Sequence, residues 1–202
     1  MNITIIKYNA GNVQSVLYAL QRLGVDAKVT DDAGEIKSAD KVIFPGVGHA
    51  FSAMEYLRKQ RLDDLIISLR QPVLGICLGL QLLCKESEEG DTKCLGIFDV
   101  NVRKFENSLK PGDRHKYKIP QIGWNTIYDL GSPLFSGIKE NSFVYNVHSY
   151  YAELSTQTIA TTDYIIPYSA SMQKDNFYGV QFHAEKSADT GARIISNFLN
   201  LV

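Results

Sequence analysis

The stretch Pro72-Val73-Leu74-Gly75-Ile76-Cys77-Leu78-Gly79-Leu80-Gln81-Leu82-Leu83 decides how this chain is read. Val73 to Ile76 is apolar enough for a buried strand, and a helical segment follows at once from Leu78 to Leu83. Cys77 stands at the junction, with Gly75 and Gly79 two residues to either side. A strand that turns directly into a helix at a nucleophilic residue forms a nucleophile elbow, here with Cys in place of Ser. The turn is tight enough that side chains at 75 and 79 would collide, and glycine removes them. The helix start aims its free N–H groups and positive dipole end at the sulfur. Both favour thiolate over thiol and can hold a developing oxyanion. Cys84, placed two turns further along that helix, reads as core, and Cys94 precedes a strand with no comparable context.

Upstream of the elbow, apolar runs alternate with helical patterns. Asn2 to Lys7, Val25 to Thr30 and Lys41 to Phe44 read as strands. Val13, Val16, Leu17, Leu20 and Leu23 recur at helical spacing before a capping Gly24, and residues 50–70 carry one helical periodicity. A polar stretch follows the second strand. Such alternation predicts an α/β fold with an open, mostly parallel sheet and helices on both faces. Downstream, Leu95–Phe105, Ile122–Tyr128, Ser142–Leu154, Thr158–Tyr164 and Phe177–Phe182 look like strands, and Asp189 to Leu201 like a closing helix. Extra antiparallel strands are therefore expected in the C-terminal half. With 202 residues, no repeat and no long linker, a single domain over 1–202 is expected.

Composition excludes several classes. The balance of 21 Lys+Arg against 22 Asp+Glu gives a net charge of −1, without the basic excess that a nucleic-acid partner requires. No apolar run reaches the roughly 18 residues of a membrane span. The start, Met1 to Lys7, lacks the charged n-region of a signal peptide. Three cysteines without a CxxC pair suggest neither a disulfide framework nor a zinc site, and so a reduced, cytoplasmic protein with no metal.

A thiol nucleophile needs a base, and the base needs orienting. His49 has no acidic neighbour close in sequence, His115 lies in a polar, basic loop (Lys110 to Lys116), and His148 ends a strand. His183 also ends a strand and is followed two residues later by Glu185, which can turn back onto the imidazole. The elbow and this His-x-Glu both fall at carboxyl ends of strands, where open parallel sheets place their sites. Pro45-Gly46-Val47-Gly48 is also at a strand end. Alone it is a turn, though its N–H groups could meet a reacting carbonyl.

These residues, in this order and approximate spacing, resemble the class I (triad-type) glutamine amidotransferases. Tyr8-Asn9-Ala10-Gly11-Asn12, Gly123-Trp124-Asn125, Val147-His148-Ser149-Tyr150 and Glu185-Lys186-Ser187 narrow the resemblance to glutaminase subunits of imidazole glycerol phosphate synthases, from histidine biosynthesis. The likeness runs along nearly the whole chain. It implies attack by Cys77 on the glutamine side-chain amide, with His183 as acid and base and Glu185 orienting it. Release of ammonia leaves a γ-glutamyl thioester that water hydrolyses. It further implies oxyanion donors at Leu78 and Gly46, Val47 and Gly48, and glutamine contacts at Gln81, Ser149 and Tyr150. No cofactor is implied. Asn12, Trp124, Tyr145 and Lys186 match positions that face a (β/α)₈-barrel cyclase partner. That partner joins the ammonia to a phosphoribosyl-aminoimidazole-carboxamide precursor, giving imidazole glycerol phosphate and an aminoimidazole carboxamide ribotide.

The basic run Arg114-His115-Lys116-Tyr117-Lys118 reads as a solvated loop. Ala184 departs from the resemblance, which has proline between the histidine and the glutamate. Retained activity is expected, with a slightly looser His183. Three further readings stay open: a paralogous glutaminase feeding another synthase such as a sugar amidotransferase, a stand-alone γ-glutamyl hydrolase, and a silent regulatory subunit.

Overall fold

The computed structural model describes residues 1–9, 12–106 and 117–202. The sequence element that carries the elbow lies at the middle of the architecture. In chain order the first half contains β1 (Ile3–Ile6), α1 (Val13–Arg22), β2 (Ala27–Thr30), α2 (Ala33–Ser38), β3 (Lys41–Gly46), α3 (Ala50–Lys59), α4 (Leu62–Ser68), β4 (Val73–Cys77) and α5 (Leu78–Leu83). The second half contains β5 (Glu86–Ser87), β6 (Thr92–Lys93), β7 (Asn101–Lys104), β8 (Gln121–Ile127), β9 (Ser142–His148), β10 (Tyr150–Ala152), β11 (Thr158–Tyr164), β12 (Ile166–Lys174), β13 (Phe177–Val180) and α6 (Ala188–Asn200).

The main sheet has seven strands in the order β11-β12-β13-β4-β3-β1-β2. Strands β13, β4, β3, β1 and β2 are parallel neighbours, and β11 and β12 complete the sheet antiparallel. The parallel strands β1, β3, β4 and β13 are buried along their whole length, as strands covered on both faces must be. Alternate side chains feed two cores. Val42, Phe44 and Val73 meet Met54, Leu57, Leu62 and Leu82 on one face. Ile43, Leu74 and Ile76 meet Leu20 of α1 and Ile194 and Phe198 of α6 on the other. A four-stranded sheet (β10-β7-β5-β6) and the β8–β9 ribbon lie outside the main sheet. Among the described residues no helix is long and apolar enough to cross a membrane, and no cluster could hold a metal ion.

Several elements differ from the sequence reading. Residues 50–70 form two helices, because Arg61 takes a left-handed conformation (φ 55°) between them. The polar stretch contains α2, which buries only Ile36 and so has no periodicity to read; the Asp32 carboxylate caps it by accepting from Glu35 N at 2.9 Å. Only Asn101–Lys104 of the candidate strand 95–105 pairs; Leu95, Ile97 and Phe98 instead donate to carbonyls at the end of α5. That helix stops at Leu83, so Cys84 caps it rather than lying within it, though it is buried as expected. The stretch 142–154 breaks at Ser149 into β9, paired with β8, and β10, paired with β7. Strand β12 is additional; Ser169 and Ser171 interrupt its apolar pattern, and their buried hydroxyls donate to Glu153 O and Gly179 O.

Candidate active site

Three parallel strands deliver the site. Gly46 at the end of β3 is the register partner of Cys77 at the end of β4, and Val180 at the end of β13 pairs with Ile76. The Pro45–Gly48 loop, the Cys77 elbow and the His183 turn therefore leave the sheet side by side, at its carboxyl edge. Cys77 has φ 54° and ψ −110°, outside the regions an L-residue ordinarily occupies. The contact that makes this turn possible is at Gly79, where a Cβ would lie 1.9 Å from Phe44 O.

His183 Nδ1 is 2.8 Å from Glu185 Oε1, both side chains being almost wholly buried, and His183 lines the same cavity as Cys77. Burial alone would push the imidazole down. The adjoining Cys77 sulfur and the Glu185 carboxylate outweigh it and hold His183 up at about 10. The site therefore favours an imidazolium beside the sulfur. Glu185 Oε1 also accepts from Asn12 Nδ2 at 3.4 Å, and Arg22 donates to the Glu185 backbone carbonyl. Glu185 Oε2 is buried without a partner among the described residues.

In front of Cys77 opens a cavity of about 270 Å³, lined among others by Val47, Gly48, Leu78, Gln81, Ser149, Tyr150 and His183. Gly48 has φ +112°, which only glycine adopts without strain. Gly46 and Glu185 stand behind this lining, Gly46 packed where a Cβ would press on Tyr8 Oη and Gly79 N. The two N–H protons of the Gln81 amide are spent within the protein, donating to Tyr150 O and Gln181 Oε1 at 3.0 Å each.

Four of the described lining residues are not among the expected site residues: Glu89, Pro120, Val147 and His148. Glu89, the one carboxylate lining the cavity among the described residues, accepts from Ala50 N at 2.7 Å. It sits in a polar run, Glu86 to Asp91, that carries no motif. His148 is fully buried, with Nδ1 2.8 Å from Tyr150 O and Nε2 3.2 Å from Tyr168 Oη. Burial, with the nearby His183 charge, pushes His148 down to about 4 despite its bond to Tyr150 O. Below the unfolded value near 6.5 the unfolded chain takes a proton that the folded chain refuses. Stability is then lost as pH falls from 6.5 towards 4, by up to about 3 kcal/mol. Urea melts at pH 7 and 4.5 should show this loss shrink by about 2 kcal/mol in His148→Gln.

Of the four residues expected to face a partner, Trp124 and Tyr145 meet each other, and Asn12 bonds Glu185, the residue before Lys186. The Trp124 and Tyr145 rings are cross-strand partners on β8 and β9, with centroids 5.7 Å apart. Tyr145 O accepts from His183 N at 2.8 Å, tying the ribbon to the site. The ribbon's outer face also carries Ile122, Phe143 and Val147, and Trp124 is 53% exposed. Lys186 is exposed, follows Glu185 in sequence and ends the turn that carries it. Ala184 opens that turn, a position where proline needs no donor. Ala184→Pro should change the catalytic rate by less than tenfold. Ala10, Gly11 and Arg114-His115-Lys116 lie outside the described residues.

Fold and site define an amidotransferase-like protein with a cysteine elbow. The family model for glutamine amidotransferase class-I matches residues 4–201, and the chain belongs to that family. It is 56% identical over 201 residues, covering both chains completely, to the imidazole glycerol phosphate synthase subunit HisH of Bacteroides fragilis. It is 42% identical over 203 residues to the subunit of the same name from Haemophilus influenzae, covering 100% of this chain and 98% of that one. Among solved structures, PurLQS from Thermotoga maritima matches with TM-score 0.71 at 15% identity, over 99% of this chain and 98% of the other. A glutamine amidotransferase from the same organism matches with TM-score 0.63 at 18% identity, over 100% and 83%. These last two speak for the fold alone.

Proposed function

We propose that the chain is the glutaminase subunit of an imidazole glycerol phosphate synthase, working through Cys77, His183 and Glu185. The observation that carries the mechanism is the buried Glu185–His183 pair, 2.8 Å apart, whose imidazole lines the same cavity as the elbow cysteine. The Cys77 thiolate attacks the side-chain amide carbon of glutamine, and the carbonyl oxygen takes the negative charge. The N–H groups of Leu78 and of the loop through Gly46, Val47 and Gly48 stabilise that charge; one such donor is worth roughly 3 kcal/mol. His183 gives its proton to the leaving nitrogen, the C–N bond breaks, and ammonia departs from a γ-glutamyl thioester. The neutral His183 then takes a proton from water as it attacks the thioester carbonyl. The C–S bond breaks, and glutamate leaves with Cys77 and His183 restored to their starting states. Glu185 holds the imidazole throughout.

Gln81, Ser149 and Tyr150 hold the substrate, and Glu89 supplies the carboxylate that a glutamine α-ammonium requires at the cavity wall. The apolar outer face of the β8–β9 ribbon supports a protein partner, a (β/α)₈-barrel cyclase that receives the ammonia. Trp124, Tyr145, Asn12 and Lys186 meet it, and the Asn12–Glu185 and Tyr145–His183 hydrogen bonds couple that surface to the chemistry. Three buried, unpaired cysteines suit work in the cytoplasm.

The test is glutamate release by the purified chain, alone and with the cyclase and its nucleotide ligand. A large rise on mixing is expected. Full activity alone, unmoved by the partner, overturns the reading in favour of a stand-alone hydrolase. Trp124→Ala should weaken the partner's half-activating concentration about 30-fold, the effect of losing an aromatic anchor from an interface core.

A further inference from the structure

Gln181 plays no part in the mechanism above, yet it is wholly buried against the reacting atom. Its Nε2 lies 3.8 Å from Cys77 Sγ, within reach of an N–H to sulfur hydrogen bond. Its backbone is fixed by donation to Ala170 O at 2.9 Å, one strand away. The direction of its amide is not free. Tyr150 O is a backbone carbonyl and can only accept. It takes one proton from Gln81 Nε2 at 3.0 Å, so the nitrogen end of Gln81 faces that way. The other Gln81 proton goes to Gln181 Oε1, also at 3.0 Å. Gln181 must then present oxygen to Gln81 and nitrogen to the sulfur. The buried His148 reinforces the arrangement from the far side, its Nδ1 sharing the same Tyr150 carbonyl at 2.8 Å.

From this polarity we propose that Gln181 is a sulfur-directed donor in the glutaminase machinery, and that Gln81 is the positioning residue that sets its direction. The proposal rests on Cys77 being the nucleophile and deepens that reading. A donor held on the sulfur stabilises the thiolate relative to the thiol, because an N–H bonds more strongly to a charged acceptor than to a neutral one. Gln181 and Cys77 are both buried, and in such surroundings that preference is larger than in solution. It also holds the sulfur in one rotamer facing the cavity. Because Gln81 lines the cavity while orienting Gln181, a ligand that reorients Gln81 also changes the environment of the sulfur.

The experiment follows alkylation of Cys77 by iodoacetamide in the full chain against pH, with peptide mapping to separate it from the buried Cys84 and Cys94. Gln181→Met keeps the length of the side chain and removes the donor. It should alkylate at least fivefold more slowly than wild type at pH 7 and at the same rate at pH 10.5. It should also lower kcat about tenfold with KM held. Gln81→Met, which leaves Gln181 in place but free to turn, should slow alkylation at pH 7 by a smaller factor. Equal rates at pH 7 for wild type and Gln181→Met would overturn the role of Gln181, and an unchanged rate in Gln81→Met would overturn the orienting role. Wild-type chain labelled with ¹⁵N supplies a readout that needs no variant to fold. The Gln181 side-chain resonance should titrate with the same midpoint as the alkylation rate, and a resonance indifferent to that titration overturns the proposal. Loss of glutaminase in Cys77→Ala is scored separately. If that variant stayed active the nucleophile assignment would fall, while the alkylation series would still report on the Gln181 contact.

Discussion

Cys77→Ala is expected to abolish glutamate release, by more than about 10⁴-fold, while the protein remains folded. Without sulfur there is nothing to form the thioester, and His183 with Glu185 can only activate water against an unstrained amide. The fold should tolerate the change. Alanine inherits the same φ of 54° and loses only one sulfur atom of buried surface, so a cost of about 1 kcal/mol is expected. The measurements are glutamate formation under saturating glutamine and a thermal melt of the same sample. Activity above one hundredth of wild type, in a folded variant, would mean that the bond is cleaved by some other group. Cys77→Gly should melt slightly above Cys77→Ala, since glycine accepts that backbone conformation without strain.

The largest structural effect is expected at Gly79. A methyl group there would stand 1.9 Å from Phe44 O, which belongs to the backbone of a buried strand and has no side-chain torsion to give way. Either α5 lifts from β3 or β3 moves in the sheet, and both separate elements that the elbow and the Pro45–Gly48 loop need in register. Gly79→Ala should cost at least about 3 kcal/mol. For a chain of this size that is a fall in melting temperature of roughly 6–12 °C, with glutaminase lost even where the variant is soluble and folded. The contrast with Gly24 makes a control, because a Cβ there meets nothing within 4 Å. Its positive φ of 73° still carries a backbone cost, so Gly24→Ala should lose about 1 kcal/mol and keep its activity.

The strands that surround Cys77 were legible because they are buried on both faces, which leaves an unbroken apolar run in the sequence. The elbow was legible for a related reason: Gly75 and Gly79 mark where two backbones approach too closely for side chains. Strand β12 escaped notice because Ser169 and Ser171 are buried with their hydroxyls bonded to carbonyls, and a polar letter in a sequence does not reveal its partner. Helix α2 escaped because one buried residue, Ile36, anchors it. In the site, Cys77, His183 and Glu185 were readable from local spacing. Glu89 was not, since a carboxylate in a polar run becomes informative only once the fold brings it to the cavity. Gln181 lies within a readable strand pattern, yet its contact with the sulfur depends on Gln81, one hundred positions away.

The single Trp of the sequence is Trp124, half in water on the ribbon and edge-on to Tyr145. The chain thus carries its own optical label at the surface proposed to meet the partner. Docking that covers the indole should move its emission to shorter wavelengths, so assembly can be followed by intrinsic fluorescence without a dye. Because β9 also carries the carbonyl that anchors His183, the same signal sits one strand from the chemistry. Stopped-flow mixing could then order the two events in time, docking seen in the light and turnover in the glutamate.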